Sequence, residues 1–198
     1  MRTPVKWLAV VAVLSAGCAS TQISTTWRNP AYADRAPRKV LVAAEIPTAA
    51  ARHQLEQQLS QQLREKGVAA VPFTTFDTSG GKPDSAAIEK AARAGGFDGV
   101  VMSRMIGVTQ HYSYSPGGYG GYGWYGYGYG YGLGYVDLVE AAHIETNLYS
   151  LRQARPELVW SGSSSTVSSG ANGTALSRRD IDHYTKVIAT RLTRDVLG

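Results

Sequence analysis

Lys39-Val40-Leu41-Val42-Ala43-Ala44, followed by Pro47-Thr48, by Leu55, Leu59 and Leu63, and by Gly67, is the stretch that decides the fold. Val40 to Ala44 is an unbroken apolar run of strand length, the pattern of a strand buried on both faces. Pro47 and Thr48 end it and cap a helix. The three leucines recur every four residues with Gln57, Gln58, Gln61 and Gln62 around them, so one stripe meets a core while the remainder meets water. Gly67 closes the helix at its C-terminus.

The same order repeats directly downstream. Val68 to Phe73 reads as a second strand, Ser79-Gly80-Gly81 as a polar turn, Pro83-Asp84 as a helix start and Gly95-Gly96 as its end. The inward side of that helix is mostly alanine plus Ile88, small enough for close packing. Asp98-Gly99-Val100-Val101-Met102 opens a third strand that runs through Ile106 and Val108 towards Tyr112. Two consecutive strand-helix-strand units favour parallel pairing.

From Pro116 to Tyr135 glycine and tyrosine nearly alternate around Trp124. Glycine at every second position costs backbone entropy and supplies nothing to bury, so a loop is expected rather than a strand. Strand character resumes from Val136 to Leu151, with Ala142, Ile144, Thr146 and Leu148 on one face. Arg152 to Pro156 turns the chain into Glu157-Leu158-Val159-Trp160-Ser161-Gly162, which tails into a serine-rich segment reaching Gly173. Ser177 with Asp180 three residues on resembles a capping box. Ile181, Tyr184, Ile188, Leu192 and Val196 line one face of a terminal helix. The expectation is an α/β (α+β) sandwich built on a mixed sheet of about five strands, in the order β-α-β-α-β-β-β-α, with the Tyr/Gly tract inserted in one hairpin.

Ahead of this domain stands a different kind of sequence. Arg2 and Lys6 precede an apolar run from Trp7 to Leu14, too short for the roughly 20 residues of a membrane span and placed where a signal segment belongs. Leu14-Ser15-Ala16-Gly17-Cys18 resembles a bacterial lipobox, in which small residues fit a peptidase and the thiol accepts a diacylglycerol. Residues 1–17 are read as a lipoprotein signal peptide, 18–38 as the lipidated cysteine and a Thr/Ser/Pro/Ala-rich tether, and 39–198 as one periplasmic α/β domain containing the 116–135 loop. Each buried methylene contributes about 0.8 kcal/mol, so several acyl chains on Cys18 anchor the protein durably. Ala19, where an aspartate would retain a protein at the inner membrane, implies outer-membrane sorting by resemblance to Gram-negative lipoproteins.

Without residues 1–17 the chain carries 18 basic against 15 acidic side chains. That mild excess is scattered, and no basic face with interleaved aromatics points to nucleic acid. Cys18 is the one cysteine in the sequence, so no disulfide is expected. His53, His111, His143 and His183 show no metal-ligand spacing, and neither a metal nor a cofactor is expected. Gly118-Tyr119-Gly120-Gly121-Tyr122-Gly123 spells the dinucleotide fingerprint, but no capped helix follows to receive a pyrophosphate. Gly81-Lys82 lacks the rest of a phosphate loop. The serines from Ser161 to Ser169 lack a nucleophile elbow.

Phe97-Asp98-Gly99-Val100-Val101, the Tyr/Gly tract, Thr146 to Leu151 and Leu158-Val159-Trp160-Ser161-Gly162 resemble, in kind and order, a domain-of-unknown-function family of bacterial envelope lipoproteins. The likeness spans about residues 97 to 166. It implies a fold and a location and carries no catalytic residue. The first half, with Val40 to Ala44 and the second helix, looks more like the small periplasmic domains of envelope-assembly lipoproteins.

These readings converge on a non-enzymatic, lipid-anchored outer-membrane protein. Its role is expected to be structural or interactive, with peptidoglycan or an envelope protein as partner besides the membrane. Tyr119, Tyr122, Trp124, Tyr125, Tyr127, Tyr129 and Tyr131 are the binding residues such a role would use, since aromatic rings with polar handles suit sugars and protein surfaces. The rival is a hydrolase of an envelope polymer using His143, Glu145 and the serine segment.

Overall fold

The computed structural model describes residues 20–32, 36–77, 81–115, 135–168 and 176–198. They form β1 (Thr21–Arg28), β2 (Lys39–Glu45), α1 (Ala49–Glu65), β3 (Ala69–Pro72), α2 (Ser85–Ala94), β4 (Gly99–Ser115), β5 (Tyr135–Ser150), β6 (Glu157–Ser168) and α3 (Arg178–Leu192). One mixed sheet takes the order β1-β6-β5-β4-β2-β3. β2 lies parallel to both β3 and β4, and the rest of the sheet is antiparallel. The strand-helix-strand units therefore pair as their order implies.

The sheet has six strands, one more than the sequence suggests. The addition is β1, inside the segment read as a tether. Its eight residues hydrogen-bond along β6, from Thr21 opposite Thr166 to Arg28 opposite Trp160. Polar β-branched residues supply the strand, and β6 supplies the backbone partners they need.

Val40 to Ala44 are fully buried, and their alternation divides two cores. Val40, Val42 and Ala44 face α1 and α3, meeting Leu55, Leu59, Leu63, Ile181, Tyr184, Ile188 and Trp160. Leu41 and Ala43 face α2, meeting Ile88, Ala92, Phe97 and Val100. The caps work as the residue types dictate. Thr48 accepts from the Ala51 N–H, Asp84 from Ala86, and Ser177 and Asp180 form a reciprocal capping box. Gly67 and Gly96 take positive φ values of 85° and 64° beyond α1 and α2, a conformation costly for other residues.

Side-chain bridges lock the elements to one another. Glu56 of α1 is buried, its two oxygens accepting from the backbone N–H of Ala44 at 3.0 Å and of Thr74 at 2.8 Å. Asp98 accepts from the N–H groups of Arg38 and Lys39 and from the Arg152 guanidinium. Desolvation pushes its carboxyl up, but these donors outweigh it and hold the group below the usual carboxylate range.

Candidate functional site

The two faces of the sheet differ. Along β5, Glu140, Ala142, Ile144, Thr146, Leu148 and Ser150 are buried, while Ala141, His143, Glu145, Asn147 and Tyr149 are half-exposed. The second set belongs to the face on which α2 packs over β2 and β4. Over β5, β6 and β1 that face is open among the described residues.

Register turns this open face into a grid, because residues directly opposite one another share a face. One row runs Gly107, His143, Ser165, Gln22; the next Arg104, Glu145, Ser163, Thr25; the third Met102, Asn147, Ser161, Trp27. Strands stand about 4.8 Å apart, so each row is roughly 14 Å across. Hydroxyls, two amides, an imidazole, a carboxylate and a guanidinium share this face. Trp27, 48% exposed, stands at its edge.

The structure thus brings His143, Glu145 and the serine segment together, as the rival reading requires. Their bonds run elsewhere, however. His143 Nε2 lies 2.5 Å from Thr109 Oγ1, and Asn147 Nδ2 donates to Glu145 Oε1 at 2.5 Å. Ser164 points to the buried face and donates to the Ile144 carbonyl. No serine among the described residues is bonded to His143; its paired nitrogen meets the Thr109 side chain of the neighbouring strand β4. His183 on α3 accepts from the Thr21 N–H at 3.1 Å and fastens the start of β1, and His53 is exposed on α1. His111 pairs in register with Val139, four residues along β5 from His143. Among the described residues no group of three or more His, Cys, Asp or Glu is placed to hold a metal ion. No described helix is long and apolar enough to cross a membrane.

Cys18, Tyr119, Tyr122, Trp124, Tyr125, Tyr127, Tyr129 and Tyr131 lie outside the described residues, as does the GxGxxG run from Gly118 to Gly123. The described residues on either side of the tract, Ser115 at the end of β4 and Tyr135 at the start of β5, are paired with each other. Sequence reasoning missed the contribution of β1. Thr21-Gln22-Ile23-Ser24-Thr25-Thr26-Trp27 is rich in β-branched and aromatic residues, and that composition was the available signal.

No protein-family description and no curated protein sequence matches this chain. Among solved structures it is similar to the PelC dodecamer from Paraburkholderia phytofirmans, at 18% identity and a TM-score of 0.47, covering 89% of this chain and 99% of that one. It is also similar to lipoprotein GNA1162 from Neisseria meningitidis, at 18% identity and a TM-score of 0.44, covering 80% and 99%.

Proposed function

We propose that this chain is a lipid-anchored protein of the outer membrane, facing the periplasm, with a non-enzymatic binding role in the cell envelope. The observation that carries the reading is the open polar face of β4, β5, β6 and β1. A sheet face rich in Ser, Thr, Asn and Gln offers hydrogen bonds in both senses, and Trp27 offers a ring for stacking. Such a surface suits a hydroxyl-rich polymer such as peptidoglycan or the polar flank of an envelope protein. The Tyr/Gly tract, carried by the hairpin that forms two strands of this face, extends the same chemistry. The acyl chains on Cys18 supply the membrane attachment.

Cosedimentation of the full chain with purified peptidoglycan sacculi tests the binding. Trp27→Ala and replacement of residues 117–134 by a short turn should each reduce retention; equal retention by wild type and both variants removes the role from this surface. Cys18→Ala tests the anchor, by membrane fractionation and mass spectrometry of the N-terminus. Wild-type acylation of that variant ends the lipoprotein reading. A second reading, hydrolysis of an envelope polymer, draws support from the register that sets His143 opposite Ser165. Release of soluble fragments from sacculi that disappears in His143→Ala would favour it.

A further inference from the structure

At the carboxyl end of β2, where its parallel pairing with β4 stops at Glu45 and Arg104, the chain turns into α1 while β4 runs on into the β4–β5 hairpin. Crevices at such points are the usual ligand sites of α/β sheets. Glu45, the last residue of β2, pairs with Arg104 of β4. Its carboxylate receives Lys82 Nζ at 2.6 Å and Arg104 Nε at 2.9 Å. Two cavities open beside this charged cluster and share Glu45, Lys82 and Pro83. The larger, about 720 Å³, runs between α2 and the sheet over Ile88, Val100, Met102, Tyr149 and Leu151. The smaller, about 290 Å³, reaches Ala49 and Arg52 at the start of α1 and Met105 of β4. The larger volume lies within the range of about 300–1,000 Å³ typical of small-molecule pockets.

Donors gather where the two cavities meet. Both Glu45 oxygens are engaged, Asp84 Oδ1 accepts from the Ala86 N–H, and Glu89 Oε1 accepts from Arg93. Asp84 and Glu89, each with a second oxygen, line only the larger cavity, whereas the part shared with the smaller one has donors to spare. Arg52 is 3% exposed, donates to the Gly81 carbonyl and stands 4.0 Å from Asp77, yet its buried Nε–H has no acceptor among the described residues. Lys82 has three N–H groups and Arg104 five, more than Glu45 uses. The first turn of α1 contains no acidic residue and adds the partial positive charge of a helix N-terminus, whereas the Asp84 carboxylate caps that of α2.

We propose that this crevice binds a single-chain anionic amphiphile. Its head takes the donors of Arg52, Lys82 and Arg104, and its hydrocarbon body lies over Ile88, Val100, Met102 and Tyr149. The proposal is independent of the polar face described above and survives if that surface binds nothing.

Met102 lines the larger cavity and Met105 the smaller, and the sequence has only three methionines. Methyl-¹³C methionine spectra of the full chain carrying Cys18→Ala, which has no acyl group of its own, therefore report on each cavity separately. Addition of 1-myristoyl-lysophosphatidic acid below its micellar concentration should shift both signals saturably. Lys82→Glu, at a side chain 76% exposed, should weaken binding about tenfold or more, the loss expected from one charge-assisted hydrogen bond. Uncharged 1-myristoylglycerol should bind weaker by a similar factor. Myristate distinguishes a carboxylate head from a phosphate head, and binding of either anion supports the proposal. Equal binding of myristoylglycerol overturns it, as does a Met102 signal that no amphiphile moves, even if inorganic phosphate moves Met105.

Discussion

Tyr184→Phe removes one oxygen from the middle of the molecule. Tyr184 is fully buried on α3, where its hydroxyl donates to Ser103 Oγ at 2.9 Å and lies 2.6 Å from Thr146 Oγ1. The ring packs among Leu and Ile side chains, which Phe preserves, so the change isolates the polar triad. Ser103 and Thr146 keep only their 3.5 Å contact with each other. A net hydrogen bond is worth about 1 kcal/mol and an orphaned buried hydroxyl costs about 1–3, so a loss of about 2 kcal/mol is expected. For a domain of this size that lowers the melting temperature by roughly 4–8 °C. Burial also pushes the Tyr184 hydroxyl up to about 12 from 10.0. The folded state therefore holds this proton more tightly than the unfolded chain does. The associated stability is fully present below pH 10 and is lost as pH rises through 12, at about 1.4 kcal/mol per unit. Urea titrations of both proteins across this window should show their difference shrinking by about 1.4 kcal/mol a unit above the unfolded value, because the variant has no proton to lose. A Tyr184→Phe protein as stable as wild type, or a difference constant with pH, would refute the buried triad.

Leu59→Ala and Ile188→Ala should each destabilise by about 2–5 kcal/mol in urea titrations, since both side chains are fully buried in the core shared by α1 and α3. A melting point within a degree of wild type would mean the helix faces are misassigned. Gly162→Ala should cost about 1–3 kcal/mol by the same assay, because a Cβ at Gly162 collides with the Trp160 ring on its own strand. Replacing residues 117–134 by a short turn should leave the melting transition unmoved or slightly raised, because closure entropy changes by only about 0.6 kcal/mol for each halving of loop length. Unfolding of that variant would show the tract to be part of the sheet.

The fold was legible where burial and hydrophobicity coincide. Val40 to Ala44, the leucine stripe of α1 and the stripe from Ile181 to Leu192 of α3, continued by Val196 in the π-helical turn after it, name their own buried faces, and all of them are buried. It was illegible where the interior is polar. Ser164 and Thr166 of β6 are 2% and 0% exposed, yet a run of serine carries no alternation for a reader to follow. Their burial follows from neighbours: β5 on one side and β1 on the other supply every backbone partner, and a small hydroxyl is tolerated inside once it is bonded. Ser164 reaches the Ile144 carbonyl and Thr166 reaches Thr21. β1 was hidden for the same reason, since Ile23 is the one apolar side chain of β1 that packs against the large core.

Charge misleads in the opposite direction. Glu56 sits among the glutamines of α1 and reads as part of the solvated side, but it is fully buried and joins β2 to the turn after β3. A helical wheel assigns faces by residue type, and a carboxylate that is satisfied by two backbone N–H groups defeats that assignment. His143 and Glu145 show the limit at the site itself. Their period of two places them on one face without a structure. That His143 meets Thr109, and that Ser165 and Ser163 stand opposite His143 and Glu145, depends on two registers and on the bulge between Met105 and Gly107. One residue more or less in that bulge would exchange Thr109 for a neighbour on the other face. The geometry that separates a binding surface from a catalytic one is therefore set by strand register, and local sequence does not carry it.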